Sequence, residues 1–175
     1  MQERCKIGVV IGNANSPHAV NIMKGIDQAS KECDVQLMYF MNVSSPYTAQ
    51  LYPPDKSIGW DYQKSAIYDY ARYVKADVLI MTYGMMSIFM KSDYGKQYLE
   101  YFRNVPCVLI NEQTDRPNWT SIIVDNYNGM YELVEHLVRD HGYHNFAFLA
   151  GPPGNTDACQ RKRAFLDVMK KYDLP

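Results

Sequence analysis

Short, almost continuously apolar runs recur along the chain and are separated by stretches in which apolar residues repeat with helical spacing. Runs that are apolar at every position are typical of strands covered on both faces, because a strand with one wet face alternates apolar and polar residues. Each run is too short for a buried helix and is rich in branched residues. The runs are residues 7–11, 35–40, 78–81, 107–110, 121–124 and 146–150.

The stretches between the runs predict helices that lie on a sheet. Apolar side chains fall at i, i+3, i+4 and i+7 in four stripes, which begin at Ala19, Ile67, Met130 and Phe165. Helix starts are marked by Ser16 before Pro17, and by Asn155 or Thr156 ahead of Asp157. Alternating strands and helices imply right-handed crossovers, so the expected fold class is α/β with a doubly wound parallel sheet.

Two segments interrupt this alternation. Residues 41–60 form a long polar and aromatic connection with three prolines, which suggests a functional or partner-facing insertion. Residues 111–120 form a polar link with no helical stripe, which is unusual for a crossover within one parallel sheet. We therefore expect the chain to pass between two lobes there. The predicted domains are an N-terminal α/β lobe over residues 1–113 and the beginning of a C-terminal α/β lobe over residues 114–175.

Charge and cysteine usage exclude several classes of protein. Eighteen Lys and Arg against 19 Asp and Glu leave a net charge of −1, so no basic field is available for direct nucleic-acid binding by this chain. No apolar run approaches the roughly 20 residues of a membrane-spanning helix, and no signal-peptide pattern is present. The four scattered cysteines lack a C-x-x-C pair, which is typical of reduced, mostly buried thiols and predicts a cytoplasmic protein.

Motifs for catalysis and for metal binding are also missing from the sequence. There is no G-x-S-x-G elbow, P-loop lysine or G-x-G-x-x-G, so we predict no catalytic residue, no enzymatic activity of this chain and no cofactor. His136, His141 and His144 cluster in the sequence. However, an i+5 spacing is expected to splay the first two about a helix, and no carboxylate completes a site. We therefore predict no metal.

Polar residues follow the predicted strands at their carboxyl ends, where loops and helix N-termini form ligand sites in open α/β sheets. Their amides, imidazole, phenol and guanidinium suit a small polar ligand such as a sugar, a nucleoside or a related metabolite. The predicted ligand-binding residues are Asn13, Asn15, His18, Tyr83, Asn111, Asp125, Asn155 and Arg161.

The second half of the chain carries a set of features that occur in a fixed order in one known family. They are the strand ending in Val124-Asp125-Asn126, Gly129, the Glu135-His136-Leu137 step, the Phe-Ala-Phe-Leu-Ala-Gly segment, the Gly151-Pro152 turn, and Arg161 with Phe165. This half resembles the effector-binding core of LacI/GalR repressors, which have the Rossmann-like periplasmic-binding-protein type I fold. Residues 7–30 are similar to the first strand, the Ser/Asn-Pro loop and the Gly-Ile helix of that family. The resemblance covers nearly all of the chain except residues 41–60.

The resemblance implies roles for some candidate residues. Arg161 matches the helix arginine that contacts effector, and a surface salt bridge is its alternative role. His18 falls where family members often place an aromatic residue that stacks on ligand, and an exposed helix start is its alternative. Asp125 and Asn126 contact ligand or, equally, cap the following helix. Cys159 stands where many members have another arginine.

The resemblance also gives the expected function. The chain enters its first strand at Lys6 without a preceding helix-turn-helix. Its His141-Gly142 insertion, the sequence of residues 124–130 and its long loop look most like those of the sensor modules at the front of bacterial signalling proteins. Those modules close two lobes on a ligand and drive a diguanylate cyclase or histidine kinase. The alternative is the effector-binding core of a LacI-family repressor without its helix-turn-helix, and an enzyme of flavodoxin-like fold ranks third. We expect a homodimer, and an incomplete second lobe in a piece of a longer protein.

Overall fold

The structure is a computed structural model that describes residues 4–43, 62–86, 92–151, 153 and 155–175. It divides into two compact units, Met1–Ile123 and Val124–Pro175. The predicted insertion falls almost wholly outside the described residues. None of the helices in the described ranges combines the length and the apolar character that a membrane crossing requires.

The strands of the first unit in the described residues are β1 Lys6–Ile11, β2 Gln36–Met41, β3 Val78–Met81, β4 Cys107–Ile110 and β5 Trp119–Ile122. They form a parallel sheet in the order β2-β1-β3-β4-β5. Strand β1 pairs with a strand on each side, so that Ile7 lies opposite both Leu37 and Val78. The predicted doubly wound parallel α/β fold is confirmed.

Helices join β1 to β2, β2 to β3 and β3 to β4, and the first of them begins where the sequence indicates. The Ser16 hydroxyl accepts a hydrogen bond from the Ala19 N–H at 3.2 Å, and Pro17 occupies the first turn. The same helix ends at Asp34, which has a left-handed φ of 47°. The helices of this unit are α1 Pro17–Cys33, α2 Tyr62–Tyr70, α3 Tyr83–Met86 and α4 Ser92–Tyr101.

The sheet of the first unit is covered on both faces. On one face, Val9 and Ile11 pack with Ala19 and with the apolar stripe of α1. On the other face, buried side chains of the sheet pack with those of α2 and α4, among them Tyr68 and Tyr98. Because successive side chains of β1 enter opposite clusters, the strand is apolar at nearly every position.

The predicted bounds of the fifth strand are wrong, and so is the prediction that it belongs to the second lobe. The predicted strand at residues 121–124 is Trp119–Ile122, and it pairs with β4 in the first sheet, with Cys107 opposite Trp119. The Trp119 indole N–H donates to the Val105 carbonyl at 3.1 Å, which anchors the strand beside β4. The link at residues 111–120 therefore joins neighbouring strands, and the units divide after Ile123, not after residue 113.

The second unit is built around two packed helices, α5 Asn126–Arg139 and α6 Thr156–Lys171. Val134 and Val138 of α5 pack against Val168 and Met169 of α6. The strand predicted at residues 146–150 is absent, since no strand is assigned there in the described part of this unit. Its aromatic residues pack on α6 instead, with Phe148 stacked on Phe165 at 4.7 Å.

Candidate functional site

Polar side chains gather at the carboxyl edge of the first unit's sheet. His18, in the first turn of α1, and Asn111, directly after β4, touch through His18 Nε2 and Asn111 Nδ2 at 2.9 Å. The amide N–H donates, so the imidazole accepts at Nε2 and carries its proton at Nδ1. Asn111 has a φ of 60°, which lets the chain turn sharply between β4 and the following link. Two of the predicted ligand residues are thus brought together from positions 93 residues apart in the chain.

The loop after β1 is fixed by residues that follow the neighbouring strands. The Gly12 N–H donates to Thr82 Oγ1 at 3.1 Å, and the Asn13 N–H donates to Asn42 Oδ1 at 2.8 Å. Thr82 and Asn42 are both buried. Asn13 adopts a left-handed φ of 51°, and its carbonyl accepts from the Ser16 N–H, which leads into α1. The backbone that carries Asn13, Asn15 and His18 is therefore held in place.

Asn42 and Thr82 are supporting residues of this edge, and neither belongs to the predicted ligand set. Thr82 directly follows β3, whereas Asn42 falls at the start of the segment interpreted as an insertion. A buried polar side chain between two strand ends is a recognisable signal once burial is known. The sequence alone does not distinguish it from an exposed loop residue.

Tyr83 opens α3 at the same edge. Its hydroxyl lies directly against Gly95, because a methyl group placed on Gly95 would come within 2.5 Å of the phenolic oxygen. Burial and, to a smaller extent, the charge of Glu112 raise the pKa of Tyr83, so the phenol is neutral at physiological pH. The ring packs against the apolar cluster beneath the sheet and is partly buried there.

In the second unit, two predicted ligand residues cap helices. Asp125 Oδ1 accepts from the Asn128 N–H at 3.0 Å at the start of α5, and Asn155 Oδ1 accepts from the Ala158 N–H at 2.8 Å at the start of α6. These hydrogen bonds to Asn128, from its backbone first and its side chain second, lower the pKa of the Asp125 carboxyl. The capping alternative stated for Asp125 is confirmed.

Arg161 points to the beginning of α5. Its guanidinium donates to Asn126 Oδ1, and the Asn126 amide nitrogen donates in turn to the Val124 carbonyl at 3.2 Å. Asn126 is buried, so this contact fixes one end of the arginine fork. The bond to Asn126 uses one of the five N–H donors of the guanidinium. On the same helix, the Cys159 thiol donates to the Pro153 carbonyl at 3.2 Å.

The prediction that His136 and His141 splay apart is wrong. Their Nε2 atoms lie 3.0 Å apart. An i+5 pair separates only within a continuous helix, whereas α5 ends at Arg139 and His141 lies in the turn beyond it. In the described ranges of the chain, no group of three or more His, Cys, Asp or Glu side chains is arranged to hold a metal.

Comparison with known proteins gives both sequence relatives and structural neighbours, although no family model matches the chain. The chain is 26% identical over 117 residues to a probable HTH-type transcriptional repressor, ExuR, of Bacillus subtilis (strain 168). That match covers 61% of this chain and 35% of the repressor. The chain thus spans about a third of the length of the curated relative.

Two solved structures share the fold over almost the whole chain. A sugar-binding transcriptional regulator of the LacI family from Escherichia coli, complexed with phosphate, matches with a TM-score of 0.63 and 14% identity, over 97% of this chain and 54% of that one. The lac repressor dimer bound to operator and the anti-inducer ONPF matches with a TM-score of 0.68 and 18% identity, over 99% and 54%. The chain has the α/β fold of LacI-family regulators, and its resemblance to them is confirmed.

Proposed function

We propose that this chain is the effector-binding part of a LacI-family transcriptional regulator and binds a sugar- or nucleoside-like molecule. The ligand surface in the first unit is the carboxyl edge of the sheet. The contact between His18 and Asn111 carries this proposal, because it joins two exposed hydrogen-bonding side chains at the place where open α/β sheets bind ligands.

The chemistry of this edge suits a neutral polyhydroxyl ligand. An imidazole and primary amides offer both donors and acceptors, which matches a hydroxyl group that donates one hydrogen bond and accepts others. The supporting bonds from Asn42 and Thr82 pre-organise the loop before ligand arrives, so less ordering entropy is lost on binding. Asn13, Asn15 and Tyr83 line the same set of loops and complete the proposed surface.

Two of the three predicted ligand residues of the second unit have a structural role in their own helices. Asp125 and Asn155 cap helices, which leaves Arg161 as the stronger candidate for ligand contact. Its guanidinium is oriented by a buried amide, and a planar fork held at one end can form paired bonds to an oxygen-rich ligand with its other donors.

The choice between a repressor and a signalling protein rests on the relatives. The B. subtilis relative is named a transcriptional repressor, and the E. coli neighbour is a sugar-binding transcriptional regulator. The names of the proteins above indicate no diguanylate cyclase or histidine kinase output. We therefore favour the core of a LacI-family repressor over the sensor module of a signalling protein. We accordingly place the whole protein in the cytoplasm and assign this chain a binding role without catalysis.

Self-association is part of the proposal. The lac repressor neighbour is a dimer bound to operator. The first unit of this chain presents exposed tyrosines that suit an interface, among them Tyr70, Tyr73 and Tyr101. DNA contact is assigned to a segment outside this chain, because the net charge of −1 provides no basic surface for it.

A thermal-shift screen with pentoses, hexoses and nucleosides tests the ligand surface. A ligand that binds only the folded chain raises its Tm, and the shift grows with concentration. We expect His18→Ala and Asn111→Gly to weaken the affinity for the active compound at least ten-fold. Glycine tolerates the positive φ at residue 111, so that variant removes the amide without straining the backbone.

Asn21→Ala is the matched control, since Asn21 is an exposed amide on α1, one turn beyond His18. It should bind like the unsubstituted chain. Unchanged affinity in both edge variants would place the ligand elsewhere. Absence of any stabilising compound would count against a sugar- or nucleoside-binding role.

The genomic sequence that flanks the segment encoding this chain tests the assignment to a repressor. A helix-turn-helix encoded upstream and in frame supports it. A cyclase or kinase domain encoded downstream would contradict it and restore the signalling interpretation.

A further inference from the structure

In the second unit, the imidazole of His136 in the last turn of α5 contacts that of His141, which follows the end of the helix. The Nε2 atoms of His136 and His141 lie 3.0 Å apart, and the two rings stand nearly perpendicular, at 83° with centroids 4.7 Å apart. Both side chains are exposed to solvent. Within the second unit, the pair lies at the C-terminal end of α5, whereas Asp125 caps the N-terminal end of that helix.

The local fold explains why the pair forms. The helix ends at Arg139, and Gly142 adopts a left-handed φ of 65° that few other residues tolerate. The N–H of Gly142 then bonds to the Val138 carbonyl at 3.1 Å, and that of Tyr143 bonds to the Leu137 carbonyl at 3.2 Å. His141 lies between the end of the helix and this turn, and Tyr143, beyond the turn, stacks on its ring at 5.7 Å.

Asp140 fixes the orientation of the first imidazole. Its Oδ2 lies 2.7 Å from His136 Nδ1, and the Arg139 guanidinium donates to the same carboxylate at 2.7 and 3.1 Å. A carboxylate acceptor holds the proton of His136 on Nδ1 and leaves the lone pair on Nε2, directed at His141. This carboxylate–histidine arrangement is the one that orients and strengthens histidine ligands in metal sites.

The separation of the two nitrogens matches adjacent ligands of one metal ion. Zinc–nitrogen bonds of about 2.0–2.1 Å place two ligand nitrogens about 2.9 Å apart at a right angle and about 3.3 Å apart at the tetrahedral angle. The observed 3.0 Å falls within that range. Without a metal, one imidazole donates to the other; with a metal, His141 moves its proton to Nδ1 and both Nε2 atoms become ligands.

We propose that His136 and His141 form a two-histidine chelate for a divalent transition cation of the zinc and copper class, with Asp140 as the positioning residue. Imidazole is a preferred ligand for these ions, and water completes the coordination because no third side chain of the described residues joins the pair. A site of this kind at a helix end ties the turn at residues 140–143 to the body of α5.

Zinc titration of the untagged chain by isothermal calorimetry tests the proposal. Exposed thiols also bind zinc, so Cys5, Cys33 and Cys159 are first blocked by alkylation. We expect one zinc per chain. His136→Gln and His141→Gln should each raise the dissociation constant at least ten-fold, because each leaves a single ligand.

His144→Gln is the matched control, since His144 is an exposed histidine in the same segment outside the pair. It should bind zinc like the unsubstituted chain, and circular dichroism should show the same helix content in all variants. Asp140→Asn should weaken zinc binding by about 10- to 100-fold while both ligands remain, as loss of an orienting carboxylate does.

Three outcomes would overturn the assignment. They are no zinc binding by the unsubstituted chain at 100-fold excess over protein, equal binding after either His→Gln substitution of the pair, and an equal loss in His144→Gln. The last result would show that the ligand set differs from the one proposed.

Discussion

Gly12 stands where the end of β1 passes closest to α3. A methyl group added at Gly12 would lie 2.6 Å from the Met85 carbonyl carbon and oxygen, which are backbone atoms that cannot rotate away. Gly12→Ala is therefore expected to lower the free energy of unfolding by about 1–3 kcal/mol, as overpacking does. Urea denaturation measures the loss.

Gly25 provides the control for that substitution. It lies inside α1, and apart from the backbone of that helix no heavy atom of the described residues comes within 4 Å of an added methyl group. Gly25→Ala should raise stability by about 0.5–1 kcal/mol, because alanine has the higher helix propensity. A Gly12→Ala chain as stable as the parent would show that β1 and α3 approach less closely than described.

The prediction that the four thiols are mostly buried is wrong, since three of them are exposed, and the thiols should differ sharply in reactivity. Cys107 is buried in the sheet, and burial raises its pKa to about 12, opposed by the charge of Arg116. The thiolate is the reactive form, so at pH 8 Cys107 is protonated as well as shielded. Iodoacetamide at that pH should label Cys5, Cys33 and Cys159 in the folded chain and Cys107 only after denaturation. Peptide mass mapping measures this, and labelling of Cys107 at the rate of Cys33 would contradict the buried position of β4.

At the scale of single residues, sequence reasoning predicts local signals better than spatial ones. Ser16 is a predicted cap and Asn155 one of two candidates for the other, and both accept backbone hydrogen bonds at helix starts. The pairing of His136 with His141 is not predicted. Counting five residues along a helix assumes that the helix continues, whereas Gly142 follows its end and reverses the chain.

At the scale of elements, the start of α6 offers a direct test of capping. Asn155→Ala removes the acceptor for the Ala158 N–H and is expected to destabilise the second unit by about 1 kcal/mol. Asn155→Ser keeps a capping oxygen and should recover most of that loss. Hydrogen exchange of the α6 amides measures both. Equal exchange in the alanine variant would mean that this cap contributes nothing.

The sequence predicts where strands lie along the chain, but it does not predict which strands pair with one another. The runs at residues 7–11, 78–81 and 107–110 coincide with β1, β3 and β4, because burial on both faces leaves a continuous apolar pattern. The same pattern does not say which sheet a strand joins, so β5 was assigned to the wrong unit. Residues 146–150 are equally apolar, and there the side chains pack on α6 without a strand being assigned.

At the scale of the whole chain, each unit has its own apolar core, so each should respond separately to a core substitution. Val168 is fully buried between α5 and α6, and Val168→Ala should cost the second unit about 2 kcal/mol. Hydrogen exchange of α5 and α6 should then accelerate more than ten-fold, while amides of β1 and β3 keep their rates.

Leu166→Ala is the control for this substitution, because Leu166 lies on the same helix with its side chain half exposed. It should change exchange little in either unit. Equal acceleration in β1 after Val168→Ala would show that the two units unfold together.

The residues that hold the sheet together and the residues proposed to bind ligand occupy different parts of the first unit. β1 and β3 are neighbours although β2 intervenes in the chain, so the connections leaving them run to opposite faces of the sheet. The buried residues that hold the sheet lie on its two faces, whereas His18 and Asn111 project from its rim. Substitutions at the rim therefore leave the interior packing unchanged, so the effector specificity proposed above can change while the fold is kept.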